Sequence, residues 1–275
     1  MRSGHEGKIQ KLSVHFFGPE AWEPLAAGWV AFSEGDEDAV LLVHSDDGEV
    51  EPMPISVFFR SEHALRRADE EALSRARGRV LDVGAGVGAL TLVLQGRGLS
   101  VTALEVVPEA IDLMRSRGVK DIILGGLEAV PAGAAFDTAL LLMNGTTLAG
   151  TLEGFPGLLA SLEGLLSPGG QVLLDSTDLT DNRRTEDSQE PAPPPQRVSA
   201  RASSSLGAIP EGYPGELQYQ MEFRGVRGAP FPQLFLDPDT LVRMAEECGW
   251  DAEVVWEEGR EFLARLVRIS QQDQE

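Results

Sequence analysis

The stretch that most constrains this chain is VLDVGAGVGAL, which runs from Val80 to Leu90. A short apolar run reaches the acid Asp82, and Gly84, Gly86 and Gly88 follow before apolar residues resume at helical spacing. This order predicts a buried strand, a tight turn and a helix. Because glycines lack a Cβ, the main chain can bend sharply there and can lie directly against a ligand at the helix N-terminus. We therefore expect a ligand site, with a nucleoside cofactor as the first hypothesis, rather than a tight turn alone.

Composition limits the partners that the chain can have. It contains 44 Asp and Glu against 23 Lys and Arg, a formal net charge of −21. Such a surface repels a phosphate backbone or an anionic membrane, so neither nucleic acid nor a membrane is expected as a partner. No apolar run approaches the roughly 20 residues that cross a bilayer, and the first residues lack a signal-peptide pattern, so we expect a cytoplasmic protein. The single Cys248 excludes an intrachain disulfide, and no Cys/His cluster has metal-ligand spacing.

Beyond the glycine-rich stretch, apolar patterns alternate between strand and helix, which predicts an α/β fold with a mostly parallel sheet. Two final β-branched and aromatic runs across the turn EEGR predict a closing hairpin. The predicted strands cover residues 79–83, 100–105, 120–124 and 137–143, and 165–176 is expected to be a turn into another buried strand. The predicted helices cover 87–96, 108–117, 151–166 and 238–248.

Two cofactor classes fit the glycine loop. Gly84, Gly86 and Ala89 match the dinucleotide fingerprint GxGxxG/A, with Glu105 as its ribose-binding acid, which is the pattern of an NAD(P)-binding oxidoreductase. Asp82, however, extends the string to DxGxGxG, which resembles the class I S-adenosylmethionine-dependent methyltransferases. The string LSPGG before the fifth strand and the closing hairpin strengthen that resemblance. A protein that binds S-adenosylmethionine without catalysis is the third possibility.

The resemblance implies a Rossmann-like, seven-stranded sheet with an antiparallel last strand, S-adenosylmethionine as cofactor, and a set of binding residues. After the third strand the family often has an adenine-binding acid, but here Gly126, Leu127 or Glu128 must serve. The fourth strand ends in Met143-Asn144-Gly145 rather than in the Asn/Asp-Pro-Pro-aromatic motif of nucleic-acid methyltransferases, which favours a small-molecule acceptor. By resemblance, the expected cofactor-binding residues are Asp82, Gly84, Ala85, Gly86, Gly88, Glu105, Val106, Gly126, Leu127, Met143 and Asn144.

The chain is also similar to a small group of bacterial methyltransferase-like proteins that share strings near MPISVFFRS, LLLMNGTTLAGTLEG and GELQYQMEFRG. Their acceptor is unassigned, so this closer likeness implies the class and leaves the acceptor and the oligomeric state open. A general base is needed only where the acceptor must lose a proton. The candidates are His63, Asp175, Tyr213 and Tyr219, without a choice among them.

Two segments outside the core are expected to cover the site. Residues 1–70 would form an amino-terminal helical lid, with 15–31 as short helical pieces and 39–45 as either a strand or a helical turn. Residues 71–275 would form the methyltransferase domain, interrupted at 176–237 by an insertion. In it, 180–205 is expected to be a mobile loop, and GELQYQMEFRG and PFPQLFLD are expected to pair as a hairpin. Phe59, Arg60, Asn144 and Tyr219 are the candidate acceptor-lining residues, with Phe58 beside them.

Overall fold

The computed structural model describes residues 18–180 and 212–269. Within these residues the α-helices are α1 (Pro19–Ser33), α2 (Arg67–Arg75), α3 (Ala89–Gly96), α4 (Pro108–Arg117), α5 (Phe155–Glu163) and α6 (Pro238–Glu247). The strands are β1 (Val40–Ser45), β2 (Val50–Pro54), β3 (Arg79–Val83), β4 (Ser100–Glu105), β5 (Asp121–Leu124), β6 (Phe136–Leu141), β7 (Leu166–Thr177), β8 (Glu216–Phe223), β9 (Val226–Arg227), β10 (Phe231–Leu234), β11 (Trp250–Glu258) and β12 (Glu261–Arg268). None of the helices described is both long and apolar enough to cross a membrane.

A seven-stranded sheet forms the centre of the molecule, in the order β11-β12-β7-β6-β3-β4-β5. The strands β3 to β7 run parallel, while β12 is antiparallel to both β7 and β11. The predicted α/β, Rossmann-like fold with an antiparallel last strand is therefore confirmed. Val83 pairs with Leu104, so the carboxyl ends of β3 and β4 meet at one edge of the sheet. That edge is where open parallel sheets bind ligands.

Both faces of this sheet are covered, as a parallel sheet requires. Leu81 and Val83 of β3 pack into one cluster with α5 and α6, whereas Val80 packs into another with α2 and α3. Successive side chains of a strand point to opposite faces, so an apolar run such as VLDV supplies both clusters. The core therefore fixes β3 rigidly just before the glycine loop begins.

A second sheet, in the order β10-β8-β1-β2, lies beside the first. The two segments predicted to pair as a hairpin do so, with Tyr219 opposite Phe231. Residues 39–45 were predicted to form either a strand or a helical turn, and the structure shows the strand β1. This strand pairs with β8, where Leu42 lies opposite Glu222. We call α1, β1, β2, residues 55–64 and β8–β10 the cap. The cap thus joins an amino-terminal segment to one from the insertion, while the segment 180–205 falls almost wholly outside the described residues.

The prediction of short helical pieces at 15–31 is wrong for the described part, because α1 is one continuous helix with Pro24 inside it. A proline lacks the N–H that would bond to the carbonyl four residues earlier, here that of Glu20. The backbone N–H of Ala229 donates to this Glu20 oxygen at 3.0 Å. The helix therefore continues through a proline because the segment after β9 supplies the missing donor.

Candidate functional site

The glycine loop joins β3 to α3 at the carboxyl edge of the central sheet. Gly84, Gly86 and Gly88 have φ angles of +71°, +55° and +79°, which side-chain-bearing residues rarely adopt. The backbone N–H groups of Gly84 and Ala85 donate to the carbonyl of Leu104 at 2.9 and 3.1 Å and hold the loop against β4. A Cβ built on Gly84 would meet nothing closer than 3.9 Å, so a ligand can approach this backbone directly.

A cleft of about 210 Å³ lies between this loop and the cap. Most of the expected cofactor-binding residues line it: Asp82, Gly84, Ala85, Gly86, Glu105, Val106, Met143 and Asn144. Three expected residues do not. A Cβ on Gly88 would lie 2.7 Å from Val119, so this glycine permits close packing instead, and Leu127 belongs to the core. Gly126 is also absent from the cleft lining, whereas its neighbour Gly125 is part of it.

Glu105, at the end of β4, is the acid at the base of the cleft and is 5% exposed. One carboxylate oxygen accepts the Gly86 N–H at 2.7 Å, and the other accepts those of Val106 at 2.7 Å and Val107 at 3.0 Å. Burial raises the pKa of Glu105, while these three backbone donors act in the opposite direction. The carboxylate is thus held in place before any ligand arrives.

Asp82 is the second acid that lines the cleft, and it is also buried. The Thr91 hydroxyl donates to it at 2.6 Å. Burial raises the pKa of Asp82 to about 6, and the nearby negative charge of Glu105 adds to this, against the opposing effect of the Thr91 hydrogen bond. The core wall of the cleft therefore presents two carboxylates in fixed positions.

The turn after β6 forms another part of the lining, and Met143 and Asn144 in it have positive φ angles of 66° and 62°. Asp175 holds the turn from below, because its carboxylate accepts the N–H groups of Met143 at 3.2 Å and Gly145 at 3.0 Å. It also accepts a hydrogen bond from Arg66 at 2.9 Å. Asp175 is buried outside the cleft lining, so the geometry places it as a support of the turn rather than as a base.

The cap wall of the cleft is apolar and aromatic, apart from one arginine. Trp29 stacks edge-on against Phe58, with ring centroids 5.5 Å apart. Phe58 rather than Phe59 faces the cleft: Phe59 packs on Phe32, and Arg117 lies over its ring. The cap residues that line the cleft are Trp22, Leu25, Trp29, Phe58 and Arg60. Sequence reasoning missed the first three, although their spacing places them on one face of a helix.

The structure does not bring the remaining base candidates to the cleft lining. His63 is exposed in a short 3₁₀ helix, Glu62–Ala64. Tyr213 is 5% exposed within the main core, and its hydroxyl donates to Asp237 at 2.6 Å. Tyr219 packs in the cap, 5.7 Å from Phe235 between ring centroids. Burial raises the pKa of Tyr219 to about 12, which makes this phenol a poor proton acceptor near neutral pH.

Comparisons with known proteins agree with this geometry. A family model described as a methyltransferase domain matches residues 59–253. A solved S-adenosylmethionine-dependent methyltransferase from Bacteroides fragilis, in complex with S-adenosyl-L-homocysteine, is 30% identical with a TM-score of 0.76. The alignment covers 92% of this chain and 98% of that one. The sheet order, glycine loop and buried acid thus define the class of S-adenosylmethionine-dependent methyltransferases.

Within that class, the chain belongs to the methyltransferase domain family whose model it matches. An uncharacterized methyltransferase from Mycobacterium tuberculosis is 33% identical over 101 residues, 36% of this chain and 40% of the relative. A malonyl-[acyl-carrier protein] O-methyltransferase from Serratia marcescens is 30% identical over 99 residues, 36% of this chain and 38% of the relative. The chain thus spans about two fifths of the length of these curated relatives. An oxidoreductase is not favoured by any of these matches.

S-adenosylmethionine is the cofactor of this class, and the residues present fit it. The backbone of Gly84 leaves room for a ligand to approach closely, and the Glu105 carboxylate lies at the end of the neighbouring strand β4. The indole Nε1 of Trp29, which is 3% exposed, has no hydrogen-bond partner among the described residues. An open backbone and a fixed acid in one cleft suit a polar nucleoside ligand.

Proposed function

We propose that this protein transfers a methyl group from S-adenosylmethionine to a small organic acceptor by direct in-line displacement. When bound, the cofactor supplies a methyl group on an electrophilic sulfonium. The observation that carries the proposal is the apolar cover over the glycine loop, formed by the aromatic residues Trp22, Trp29 and Phe58 together with Leu25. Such a cover excludes water and holds two reactants in line, which is most of what this reaction requires.

The residues of the core wall have the task of holding the cofactor. Glu105 would accept hydrogen bonds from the ribose hydroxyls, and the backbone of Gly84 and Gly86 would face the amino-acid part. The turn at Met143 and Asn144 would lie beside the acceptor, where Asp175 keeps it in its positive-φ conformation. None of the four candidate bases is among the described lining residues, and Asp82, the acid there that is not assigned to the ribose, accepts the Thr91 hydroxyl. We therefore infer an acceptor atom that reacts without losing a proton to the enzyme.

Size and charge favour a small acceptor. The cleft of about 210 Å³ is smaller than typical small-molecule sites of roughly 300–1,000 Å³, so the cap must move outwards to admit both ligands. The net charge of −21 opposes binding of nucleic acid and of anionic membranes. We accordingly propose that the described parts of residues 1–70 and of the insertion 176–237 act together as the lid, with 71–275 otherwise forming the methyltransferase domain.

The first test is ligand identity. S-adenosylhomocysteine should bind with a micromolar dissociation constant, about −8 kcal/mol, and should raise the melting temperature, whereas NADH should do neither. Labelled S-adenosylmethionine incubated with a pool of small metabolites would then identify the acceptor by transfer of label. Stabilisation by NADH alone would refute the proposal.

The lid is tested by hydrogen exchange with and without S-adenosylhomocysteine. A closing lid should gain protection at residues 55–63 as well as in the glycine loop, with a smaller gain at 213–223. The matched control is residues 250–258, the outermost strand of the central sheet, which should not change. Protection confined to the glycine loop and Glu105 would mean that the cap is a static part of the fold.

A further inference from the structure

A second cavity lies along α1, between this helix, the start of α4 and the end of β8. We call it the groove; its volume is about 740 Å³, within the roughly 300–1,000 Å³ of sites that bind small molecules. Its lining is mostly apolar and includes Ala27 and Val30 of α1, Val107 before α4 and Phe223 of β8. Val226, a further lining residue, is 62% exposed. An apolar surface of this extent that stays open to solvent is typical of a binding site.

The charged residues of the groove are mostly acidic. Glu23, Glu34 and Glu109 line it, and none of the three makes a side-chain hydrogen bond or an ion pair with another described residue. Arg224, the one basic residue in the described lining, forms an ion pair with Asp36 at 2.6 Å, so its charge is already balanced. The groove therefore combines an apolar surface with uncompensated negative charge, which favours a cation that carries an apolar group.

The acids and the apolar residues have an order along α1. Glu23 and Glu34 lie about 16 Å apart along the helix axis, and Ala27 and Val30 lie between them in the sequence. Trp22, next to Glu23, also lines the groove, and aromatic rings attract organic ammonium groups. An ammonium group near Glu23 would thus meet a carboxylate and an aromatic ring, while an apolar chain attached to it would cover the middle of the helix.

We propose that the groove binds an organic cation that carries an apolar chain. Neither the glycine loop at 84–88 nor the turn at 143–145 contributes a residue to the described lining, so this ligand is distinct from the cofactor and from the methyl acceptor. Trp22, Val106 and Val107 line both the groove and the cleft, so the two cavities share a wall. The inference does not depend on the proposed function.

Four probes separate the contribution of charge from that of apolar contact. Calorimetry would give the affinities of the wild type for hexyltrimethylammonium, tetramethylammonium, hexanol and hexanoate. A salt concentration of about 0.5 M potassium chloride screens the attraction of any cation to the net charge of the whole chain. The first probe carries both features that the groove selects, and each of the others lacks one. Hexyltrimethylammonium should therefore bind at least about tenfold more tightly than each of the other three.

A pair of variants tests the contribution of the acids. E23Q/E34Q removes two carboxylates of the groove and should weaken hexyltrimethylammonium binding about fivefold, without changing that of hexanol. The matched control is E37Q/E153Q, which removes the same charge from two exposed glutamates outside the groove lining and should bind like the wild type. A further variant, A27W, places a large ring among the apolar lining residues and should weaken binding of this probe about tenfold or more.

The proposal is overturned if hexyltrimethylammonium binds no better than hexanol or tetramethylammonium, or if the control variant loses as much affinity as E23Q/E34Q. The titrations are repeated with saturating S-adenosylhomocysteine, and loss of probe binding in its presence would place the probe in the cleft and overturn the proposal as well. If S-adenosylhomocysteine itself does not bind, the proposed function fails, but the titrations without it still test the groove.

Two further measurements test other occupants of the groove. Stronger probe binding by R2Q/K8Q/K11Q than by the wild type would mean that the basic side chains of residues 1–17 compete for it. A dimer in analytical ultracentrifugation that A27W dissociates would assign the groove to a second copy of the chain. Either result would overturn the proposal, which expects unchanged probe binding in the first case and the same molecular mass for both proteins in the second.

Discussion

The two walls of the cleft differ in how their polar groups are satisfied. On the core wall, the Glu105 carboxylate accepts three backbone N–H groups and Asp82 accepts the Thr91 hydroxyl. On the cap wall, Trp29 Nε1 and Arg60 Nε are buried without a partner among the described residues. The two acids of the core wall therefore already have partners within the protein, while the cap wall holds two buried donors for which the described residues provide none. Substitutions on the core wall should change both stability and binding, and those on the cap wall mainly binding.

The largest expected effect compares two glycines of the loop. G88A should lower the free energy of unfolding by about 2 to 5 kcal/mol, because it adds a positive-φ cost to a Cβ that lies 2.7 Å from Val119. G84A should cost only about 1 to 2 kcal/mol, since its Cβ meets nothing within 3.9 Å, but it should obstruct ligand binding. Urea unfolding and calorimetry would measure both quantities. Equal losses of stability would show that the two glycines do not divide into packing and binding roles.

The second prediction concerns pH and Asp82. Its folded-state pKa of about 6 lies above its ordinary value of 3.8, so the folded state binds more protons between about pH 4 and 6. The ionised group therefore opposes folding above pH 6, by roughly 3 kcal/mol, and this penalty disappears as the pH falls towards 4. D82N, whose amide oxygen can still accept the Thr91 hydroxyl, should be more stable than the wild type at pH 8. The difference should shrink towards pH 4, and a difference that is constant with pH would contradict the assignment.

The third prediction concerns Glu105. E105A should weaken S-adenosylhomocysteine binding by about 1.5 to 3 kcal/mol, the range for hydrogen bonds to charged groups. It should also lower stability, because three backbone N–H groups lose their acceptor. E128A is the matched control: Glu128 is an exposed acid beyond β5 that accepts the Gly126 N–H at 3.2 Å. Equal effects of E105A and E128A on binding would contradict a specific contact between Glu105 and the cofactor and would indicate a contact with the segment after β5.

The smallest expected effect tests the cap wall. W29F removes the unpartnered Nε1–H, a gain that should offset the cavity left by the smaller ring, so stability should change little. Binding of S-adenosylhomocysteine should weaken by about 0.5 to 1.5 kcal/mol if the indole donates to it. W250F, in the core, should instead lower stability without a selective effect on binding. A clear loss of stability in W29F would show that Trp29 serves packing, and the contrast between the walls would fail.

Much of the core wall could be predicted from the sequence because its signals are local. The string at 80–90 contains the strand, the turn and the glycines needed at positive φ, and LSPGG and the final hairpin extend the same pattern. The predictions that the geometry does not support concern the direction in which a residue faces. Gly88 faces α4 rather than the cleft, and Phe58 rather than its neighbour Phe59 points inward. In the 3₁₀ helix that ends at Phe58, one residue of shift rotates a side chain by about a third of a turn. Composition does not record which direction packing selects.

The sequence by itself determined the class of this protein. Strand-like and helix-like apolar patterns alternate along the chain and predict the parallel sheet, and the glycines and acids at the ends of two strands mark the ligand site. Only the tertiary structure decided what faces that site from the other side. The cap is formed when residues 40–45 pair with 216–223, and α1 continues through Pro24 because Ala229 supplies a donor. The ion network from Arg60 to Asp175 likewise joins segments more than a hundred residues apart. Such contacts depend on hydrogen bonds and charges between distant segments, and no local spacing encodes which of these segments meet.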